Sequence, residues 1–305
     1  MDRVSIIANP ISGKGKSRQT VRDLSEELTE RGFRVDVFFT EAKGDAMKAA
    51  SELSGEYAAV CAVGGDGTMN EVLNGIAESD IPLAILPAGL SNVVAVELGI
   101  TPEVKEFASA IADRSMVDID LCRANDRYFI GMGGAGWDAH IVHSIAKSRN
   151  SPLGFKGYVV PIAKSLVTYD FPHIEVVLDG KTLTKKAGMV IVGNVAQYGG
   201  PFRITNRADF NDGVLDVYIV RRASPVEMLK LFAGVLWGDH TRHGNATYAR
   251  GTELRLTSKG GVPVHIDGEA YGHLPMNIKI TGIKKKVIVP GQGCDAPGVN
   301  QAESC

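Results

Sequence analysis

The segment that most constrains the fold is residues 60–75, where a short apolar run passes through a glycine pair into a helix-forming sequence. An apolar run of this length is typical of a buried parallel strand. Gly64 and Gly65 end it, and the pattern predicts Thr68 as the helix N-cap, with Glu71 completing a capping box. A strand that runs through glycines into a helix presents backbone N–H groups and the positive end of the helix dipole to an anion. The segment therefore indicates a phosphate-binding turn, and an ordinary tight turn is the alternative.

A second small-residue loop, residues 10–17, follows the first apolar run of the chain. A P-loop would need glycine at position 10, where Pro10 stands, and a dinucleotide fingerprint that starts at Gly13 would need glycine at position 18, where Arg18 stands. Neither standard motif is present. What remains is a loop that carries Lys14 beside a helix N-terminus, which suits a polyphosphate or is a solvated basic turn.

Predicted strands alternate with predicted helices over residues 3–120, which indicates a parallel sheet covered on both faces. In such sheets ligands bind beyond the carboxyl ends of the strands, where Asn9 and residues 64–68 and 89–92 fall. From residue 173 onward six predicted strands are separated by turns such as Asp179-Gly180, which indicates a second, mainly antiparallel β-rich domain. We predict an α/β domain at 1–122, a β-rich domain at 123–290 and a flexible tail at 291–305.

Composition limits the class of protein. The 305 residues contain 33 basic and 35 acidic side chains, so no strong positive field indicates a nucleic-acid partner. The four cysteines lack metal-ligand spacing and fit reduced thiols. No apolar run approaches the roughly 20 residues of a membrane span, and the run at 4–8 is far too short for a signal sequence. We expect a soluble, cytoplasmic protein without a transmembrane segment.

An ordered set of motifs resembles the diacylglycerol kinase catalytic-domain family, which also holds sphingosine and ceramide kinases and is more distantly similar to NAD kinases. The resemblance covers residues 3–289 and implies that residues 1–122 bind nucleotide and that residues 123–290 bind lipid substrate and metal. It also implies ATP in the cleft between the two domains. Its motifs are Asn9-Pro10 with Ser12-Gly13, residues 64–70, 87–92 and 133–138, Asn211-Asp212-Gly213 and Asp267-Gly268-Glu269.

Carried over position by position, the resemblance implies a set of nucleotide contacts and a structural magnesium. The metal ligands would be the Asp212 carboxylate with nearby backbone carbonyls, those of Asp209 and Val214; without the resemblance, this loop reads as an ordinary β-turn. Magnesium takes oxygen ligands and keeps several waters, so a loop with one committed acid is enough. The implied ATP contacts are Asn9, Pro10, Ser12, Gly13, Lys14, Thr40, Gly64, Gly65, Asp66, Gly67, Thr68, Asn70, Ser91 and Asn92.

The resemblance also implies which residues carry the chemistry. Phosphoryl transfer to an alcohol needs a base near the attacking hydroxyl, and Glu269 is the implied proton acceptor, with Asp267 beside it and able to share the role. Asp66 would belong to the network around metal and nucleotide. The chain departs from the family at Leu90, where threonine is usual, and at Val93, where aspartate is usual. Ser91 could supply the missing hydroxyl.

The sequence says least about the lipid. Apolar residues among basic ones suit an anionic membrane surface, although an ordinary amphipathic helix has the same pattern. We predict an ATP- and Mg²⁺-dependent kinase of diacylglycerol or a related lipid, peripheral at the membrane; a homodimer is left open. The alternatives are a kinase of a sphingoid or soluble polyol substrate, and a nucleotide-binding regulatory protein with little catalysis. The surface candidates are Trp137, Ile141, Leu153, Phe155 and Tyr158, among Lys147, Arg149 and Lys156.

Overall fold

The computed structural model describes residues 2–54, 56–147, 156–199, 202–236 and 244–291. The chain forms two compact units, and neither is continuous in sequence. The first holds Met1–Gly89, Leu98–Ile119 and the chain from Lys285, and the second holds Leu90–Glu97 and Asp120–Lys284. The predicted boundary at 122/123 and the tail from 291 stay predictions.

The described elements run in chain order as follows. Up to residue 136 they are β1 (Arg3–Ala8), a 3-10 helix (Ser12–Gly15), α1 (Ser17–Glu30), β2 (Arg34–Phe39), α2 (Asp45–Ser51), β3 (Ala59–Gly64), α3 (Asp66–Gly75), β4 (Leu83–Pro87), α4 (Val93–Glu97), α5 (Val104–Ala112), β5 (Met116–Ala124), β6 (Arg127–Phe129) and β7 (Met132–Gly136). After it they are α6 (Trp137–Lys147), α7 (Lys156–Thr168), β8 (Ile174–Leu178), β9 (Lys181–Gly193), β10 (Gln197–Gly199), β11 (Phe202–Arg203), β12 (Leu215–Arg221), α8 (Pro225–Leu236), β13 (Ala246–Gly251), β14 (Glu253–Thr257), β15 (Pro263–Ile266), β16 (Glu269–His273) and β17 (Met276–Ile288).

The first unit is built on a parallel sheet. Its strand order is β2-β1-β3-β4, and the end of β17 adds to β4, also in parallel. Every residue of β3 is buried, as the unbroken apolar run predicts. Helix α1 packs against α5, and α2 packs against α3. The predicted α/β fold of the N-terminal part is confirmed.

The second unit is built on antiparallel strands. Its main order is β16-β15-β7-β9-β8-β14-β17, and β12 joins β9 to β13. Alternate residues of these strands form a buried apolar cluster that includes Val176, Val192, Leu254 and Ile278. This alternation is the pattern of a sheet with one face against a core. The predicted antiparallel β-rich domain is confirmed.

Two local differences from the sequence expectation concern functional segments. The sequence predicts a strand that ends at Met132, whereas residues 133–136 continue strand β7, because their small side chains let β15 and β9 pair closely on either side. Strands β13 and β16 were not predicted, since they contain almost no β-branched residues.

Candidate active site

The first unit brings the predicted phosphate-binding loops together at the carboxyl edge of its parallel sheet. Backbone hydrogen bonds continue the ladder past the strand ends: Asn9 N donates to Val63 O at 3.0 Å, and Thr40 N donates to Ala8 O at 2.9 Å. Ala88 N donates to Gly64 O at 2.7 Å. Four loops from four neighbouring strands therefore begin at one edge, as parallel strands require.

The glycines of this edge are required by close contacts. A Cβ atom at Gly64 would lie 2.6 Å from Thr68 Oγ1 and 2.7 Å from Thr68 Cβ. A Cβ atom at Gly65 would lie 3.3 Å from Gly89 Cα. The first glycine thus lets α3 turn back over the strand, and the second lets two loops approach each other.

Helix α3 begins earlier than the sequence predicts. Its N-cap is Gly65, Asp66 is already in the first turn, and no side chain caps the helix. Glu71 does not complete a capping box, because its Oε1 accepts a hydrogen bond from Gly44 N at 2.9 Å and so ties α3 to the start of α2. The prediction of Thr68 as N-cap is therefore wrong. The early start places Asp66, Gly67 and Thr68 within the first turn of the helix.

The remaining predicted ATP contacts of the first unit follow β1 or lie deeper in α3. Asn9 Oδ1 accepts a hydrogen bond from Ile11 N at 3.1 Å, and Asn9 O accepts one from Ser12 N at 3.2 Å. These bonds fold the chain tightly around Pro10. Gly13 has φ +63°, which suits glycine, and the Lys14 side chain lies outside what the structure describes. Asn70 is buried and bonded to Asn74.

Ser91 and Asn92 belong to the second unit, just before α4. Helix α4 is held there by Glu97, which accepts hydrogen bonds from Gln197 N at 2.9 Å and from Arg203 at 3.2 Å. Val93, which stands where the family has aspartate, packs into a small apolar cluster with Met132 and Val195. Val93 therefore serves to pack the apolar cluster. An aspartate at position 93 would place its carboxylate among apolar side chains.

Asp267 is an anchored carboxylate rather than a solvent-facing one. It is 5% exposed, and its Oδ1 accepts hydrogen bonds from Gly131 N at 3.1 Å and Met132 N at 3.0 Å. Its own N–H donates to Met132 O at 2.7 Å. A Cβ atom at Gly131 would lie 2.6 Å from that carboxylate oxygen. Asp267 therefore locks the start of β7 to the end of β15.

Glu269 takes a different position in the same hairpin. Asp267 and Gly268 have φ of +46° and +74°, the two positive values of a two-residue turn between β15 and β16. Glu269 follows as the first residue of β16 and is partly exposed. The Asp-Gly-Glu segment is therefore a turn, and it places the two carboxylates differently.

The loop at 209–214 is held by cationic side chains of the protein itself. The guanidinium of Arg250 bonds to Asp212 Oδ2, and its Nε lies 3.4 Å from the fully buried Asp216 carboxylate. The ammonium group of Lys284 bonds to Asn211 and lies 3.5 Å from Asp120 Oδ1. Burial raises the pKa of Asp216, and Arg250 opposes that rise.

Both oxygens of the Asp212 carboxylate, the magnesium ligand implied by the resemblance, are bonded within the protein. Asp212 Oδ2 is taken by Arg250, and Asp212 Oδ1 accepts a hydrogen bond from Val214 N at 3.1 Å. Asp209 Oδ1 accepts one from Asn211 N at 3.1 Å. A divalent cation on Asp212 Oδ2 would have to displace the guanidinium of Arg250. The ligand set of Asp209, Asp212 and Val214 stays a prediction.

One buried pair was missed by the sequence reasoning. His265 Nε2 lies 2.9 Å from Asp138 Oδ2, and the two residues are 1% and 4% exposed. The pair lies over Gly134, where a Cβ atom would be 2.3 Å from Asp138 Oδ2 and 2.5 Å from His265 Nε2. The sequence signals are the place of Asp138 at the end of the 133–138 motif and that of His265 two residues before Asp267, and neither names its partner.

The predicted lipid-surface residues of α6 are not at the surface. Trp137 and Ile141 are 6% and 8% exposed and pack in an apolar cluster with Met189, Tyr218 and Met228. They serve as core, so their assignment to a membrane surface is wrong. Arg149, Leu153 and Phe155, like the side chains of Lys147, Lys156 and Tyr158, lie outside the described residues. Among the helices of the described ranges, none is long and apolar enough to cross a membrane.

Comparison with known proteins gives the same fold and assigns a family. Residues 3–124 match the model "Diacylglycerol kinase catalytic domain", and residues 131–289 match "YegS C-terminal NAD kinase beta sandwich-like domain". Proteins named diacylglycerol kinase from Staphylococcus saprophyticus and Bacillus subtilis are 29% and 27% identical; the alignments cover 90% of this chain and 91% and 92% of theirs. A crystal structure of a diacylglycerol kinase from Bacillus anthracis aligns with TM-score 0.76 and 25% identity, over 94% of this chain and 97% of that one.

The two matched models together span residues 3–124 and 131–289, and the relatives align over nine-tenths of the chain. The chain belongs to the diacylglycerol kinase catalytic-domain family, and it is a lipid kinase. The resemblance found in the motifs is thereby confirmed.

Proposed function

We propose that this lipid kinase transfers the γ-phosphate of ATP to a hydroxyl group of diacylglycerol or a related lipid, with Mg²⁺ entering as part of the nucleotide substrate. The observation that carries the proposal is the sheet edge where Asn9, Thr40, Gly64 and Ala88 meet, in a chain of this family. Relatives over nine-tenths of the chain are named diacylglycerol kinase, which supports diacylglycerol as the acceptor class.

The first unit supplies the nucleotide contacts in this proposal. Residues 64–68 combine a glycine turn with the first turn of α3, whose backbone N–H groups and dipole favour phosphate. Asn9 and Thr40 border the same edge, and Lys14 adds positive charge in the neighbouring loop. Asp66 in the first turn of α3 is suited to the cation that accompanies the phosphates, because magnesium prefers oxygen ligands.

The second unit supplies the proton acceptor. The acceptor hydroxyl oxygen forms a bond to the γ-phosphorus, and the bond from that phosphorus to the β–γ bridging oxygen breaks, so that ADP leaves. The proton of the hydroxyl passes to the Glu269 carboxylate. Asp267 has one oxygen occupied by Gly131 and Met132, so its role is to fix the hairpin that carries Glu269.

The test is transfer of labelled γ-phosphate from ATP to a panel of lipids in mixed micelles: diacylglycerol, monoacylglycerol, phosphatidylglycerol, sphingosine and ceramide. Wild type should label diacylglycerol or a near relative, and chelation of divalent ions should abolish labelling. Glu269→Gln should lower turnover by about 100- to 10,000-fold, the usual contribution of a general base. Glu253→Gln, an exposed residue of β14, is the matched control and should be active.

Each other result has a defined meaning. Labelling of sphingosine alone, or of a soluble polyol without micelles, would replace diacylglycerol as the substrate. ATP binding without any labelled product would favour the nucleotide-binding regulatory alternative. The structural observation behind that alternative is that Val93, where the family has aspartate, lies in an apolar cluster. Full activity under complete chelation would contradict the mechanism.

A further inference from the structure

The hairpin of β15 and β16, which carries the Asp-Gly-Glu turn, has an irregular ladder. Val264 pairs with Gly272, and the next residue of β15 pairs with Ala270. One residue of β16 is left over between these two pairs, and such a bulge interrupts the ladder and bends the strand. The bulge lies two residues after Glu269 in the chain. The direction of the turn therefore depends on contacts outside the ladder.

Three side chains bond the hairpin to three other elements of the second unit. Asp267 accepts hydrogen bonds from backbone N–H groups at the start of β7. Tyr271 Oη donates to Ala124 O at 3.2 Å, at the end of β5. His265 Nε2 lies 2.9 Å from Asp138 Oδ2, in the first turn of α6. The third contact joins two ionisable side chains that are both nearly inaccessible to solvent.

The His265–Asp138 pair occupies space that apolar side chains could fill. Val264 and Ile266, the neighbours of His265, lie in the buried apolar cluster, and His265 points to the other side of β15. Gly134 makes room for the pair, because a Cβ atom there would lie 2.3 Å from Asp138 Oδ2 and 2.5 Å from His265 Nε2. Replacing a buried ion pair by packed apolar residues is often neutral or stabilising, so stability alone does not account for the pair. A hydrogen bond also fixes a direction and a distance.

Helix α6 holds β15 at two successive residues. His143 Nε2 donates to the backbone carbonyl of Val264 at 2.8 Å, and the next residue, His265, bonds the first turn of the helix. The residue after that pairs with Glu269 across the hairpin. The two bonds to α6 therefore end one residue before the strand pair that contains Glu269.

We propose that His265 is a positioning residue for the proton acceptor Glu269. Through its bond to Asp138 it fixes the end of β15 against α6, and the turn of the hairpin transmits that direction to Glu269. An error of about 1 Å in the place of a reacting group can lower a rate about 100-fold, so a small shift of the hairpin is enough to matter. The inference rests on the proposed function, in which Glu269 takes the proton, and deepens it by naming a residue that acts from inside the fold.

The test is a mutant cycle on kcat for transfer of labelled phosphate to diacylglycerol, or to the lipid of the panel that wild type labels. His265→Leu with Asp138→Val replaces the pair by apolar side chains of similar volume and should leave the Tm near that of wild type. It should lower kcat by about 10- to 100-fold when Glu269 is present. In the Glu269→Gln background the same change should alter kcat by no more than about twofold, because no base is left to position. The KM for ATP should stay at its wild-type value, because the proposed nucleotide contacts belong to the first unit.

Further variants separate positioning from folding. His265→Gln keeps an N–H donor near the place of Nε2 and should keep kcat within about threefold of wild type. Asp138→Asn keeps the volume and weakens the bond, and should show the same dependence on Glu269 with a smaller loss. Thr252→Val is the matched control: Asp179-Gly180 form a turn of the same kind between β8 and β9, and Thr252 Oγ1 donates to Asp179 Oδ1 at 3.1 Å. Loosening that turn should leave kcat at the wild-type value, since it carries no reacting group.

Three results would overturn the inference and leave the proposed function intact. They are wild-type kcat in the apolar double variant, an equal loss with Glu269 present or replaced, and a loss in His265→Gln as large as in the apolar double variant. Wild-type turnover of Glu269→Gln would instead overturn the proton acceptor of the proposed function, and this inference with it. The Glu269→Gln variant by itself thus distinguishes the two failures.

Discussion

The carboxylate of Asp267 accepts a hydrogen bond from the backbone N–H of Met132 at 3.0 Å, and the N–H of Asp267 donates to the carbonyl of Met132 at 2.7 Å. This reciprocal pair joins the hairpin of the Asp-Gly-Glu motif to strand β7. The Asp267 carboxylate therefore bonds to backbone groups, whereas the Glu269 carboxylate, two residues later in β16, is partly exposed.

This difference gives opposite expectations for Asp267→Asn and Glu269→Gln, each of which replaces a carboxylate by an amide of the same size. Asp267→Asn keeps an oxygen that can accept both N–H groups, and asparagine tolerates the positive φ, so turnover should stay within about tenfold of wild type. Asp267→Ala should lower the free energy of unfolding by about 2 to 4 kcal/mol, because it leaves two buried N–H groups unpaired. Lipid kinase assays and urea unfolding of both variants measure this. A loss in Asp267→Asn as large as in Glu269→Gln would make Asp267 a proton acceptor.

Gly64 has a separate role that a single methyl group can test. Gly64→Ala places a Cβ atom 2.7 Å from Thr68 Cβ, so α3 must shift away from β3. We expect a loss of about 1 to 3 kcal/mol in stability and a weaker affinity for ATP, measured by unfolding and calorimetry. Gly260→Ala, where no atom lies within 4 Å of the added Cβ, is the matched control. Wild-type ATP affinity in Gly64→Ala would contradict the role of this turn.

The sequence was sufficient for the features that depend on local pattern. Hydrophobic patterns with periods of two and 3.6 residues predicted the fold of both units. They include the apolar run of β3, the glycine pair after it and the alternation of the later strands. The motif order also predicted the family. These signals lie within short windows, so no partner elsewhere in the chain is needed to see them.

What the sequence could not give depends on distant partners. Glu71 fits a capping box by spacing, yet it bonds Gly44, 27 residues away. Arg250 bonds Asp212 from 38 residues away, and His265 meets Asp138 from 127 residues away. Each of these contacts is decided by strand register and helix placement. Trp137 lies in the core and not at the surface, and this too depends on a distant contact, because it is decided by which face of α6 the sheet covers.

The pairing of Arg250 with Asp212 and Asp216 predicts how the loop responds to magnesium. Asp212→Ala removes a half-exposed pair and should lower the free energy of unfolding by about 1 kcal/mol. Arg250→Gln should lower it more, by about 3 kcal/mol, because the fully buried Asp216 loses its cation. Asp118→Ala, an exposed residue of β5, is the control.

Chelation provides the metal readout for the same variants. A resident Mg²⁺ would stabilise the folded state by mass action, so its removal would lower the Tm. With Arg250 in the cation position, we expect wild type to keep its Tm in EDTA, and Asp212→Ala to gain nothing from added Mg²⁺. A Tm that falls in EDTA and recovers with Mg²⁺ would instead support the ligand set of Asp209, Asp212 and Val214.

Lys285 predicts a pH dependence of the first unit. It is 2% exposed, its ammonium group donates to Ile76 O at 2.6 Å and Ser79 O at 2.8 Å, and burial lowers its pKa to about 8. Since the pKa in the unfolded chain is near 10.5, the unfolded state binds more protons between these values. Burial of the charged Lys285 ammonium group destabilises the folded state, and this contribution is fully present below pH 8. It is relieved as pH rises to about 10.5, because the buried group is then a neutral amine that still donates both hydrogen bonds. The unfolding free energy of wild type should therefore rise relative to Lys285→Met by up to about 3 kcal/mol over this window. Urea unfolding at several pH values measures the difference, and parallel curves for the two proteins would show that Lys285 is not buried as a charged group.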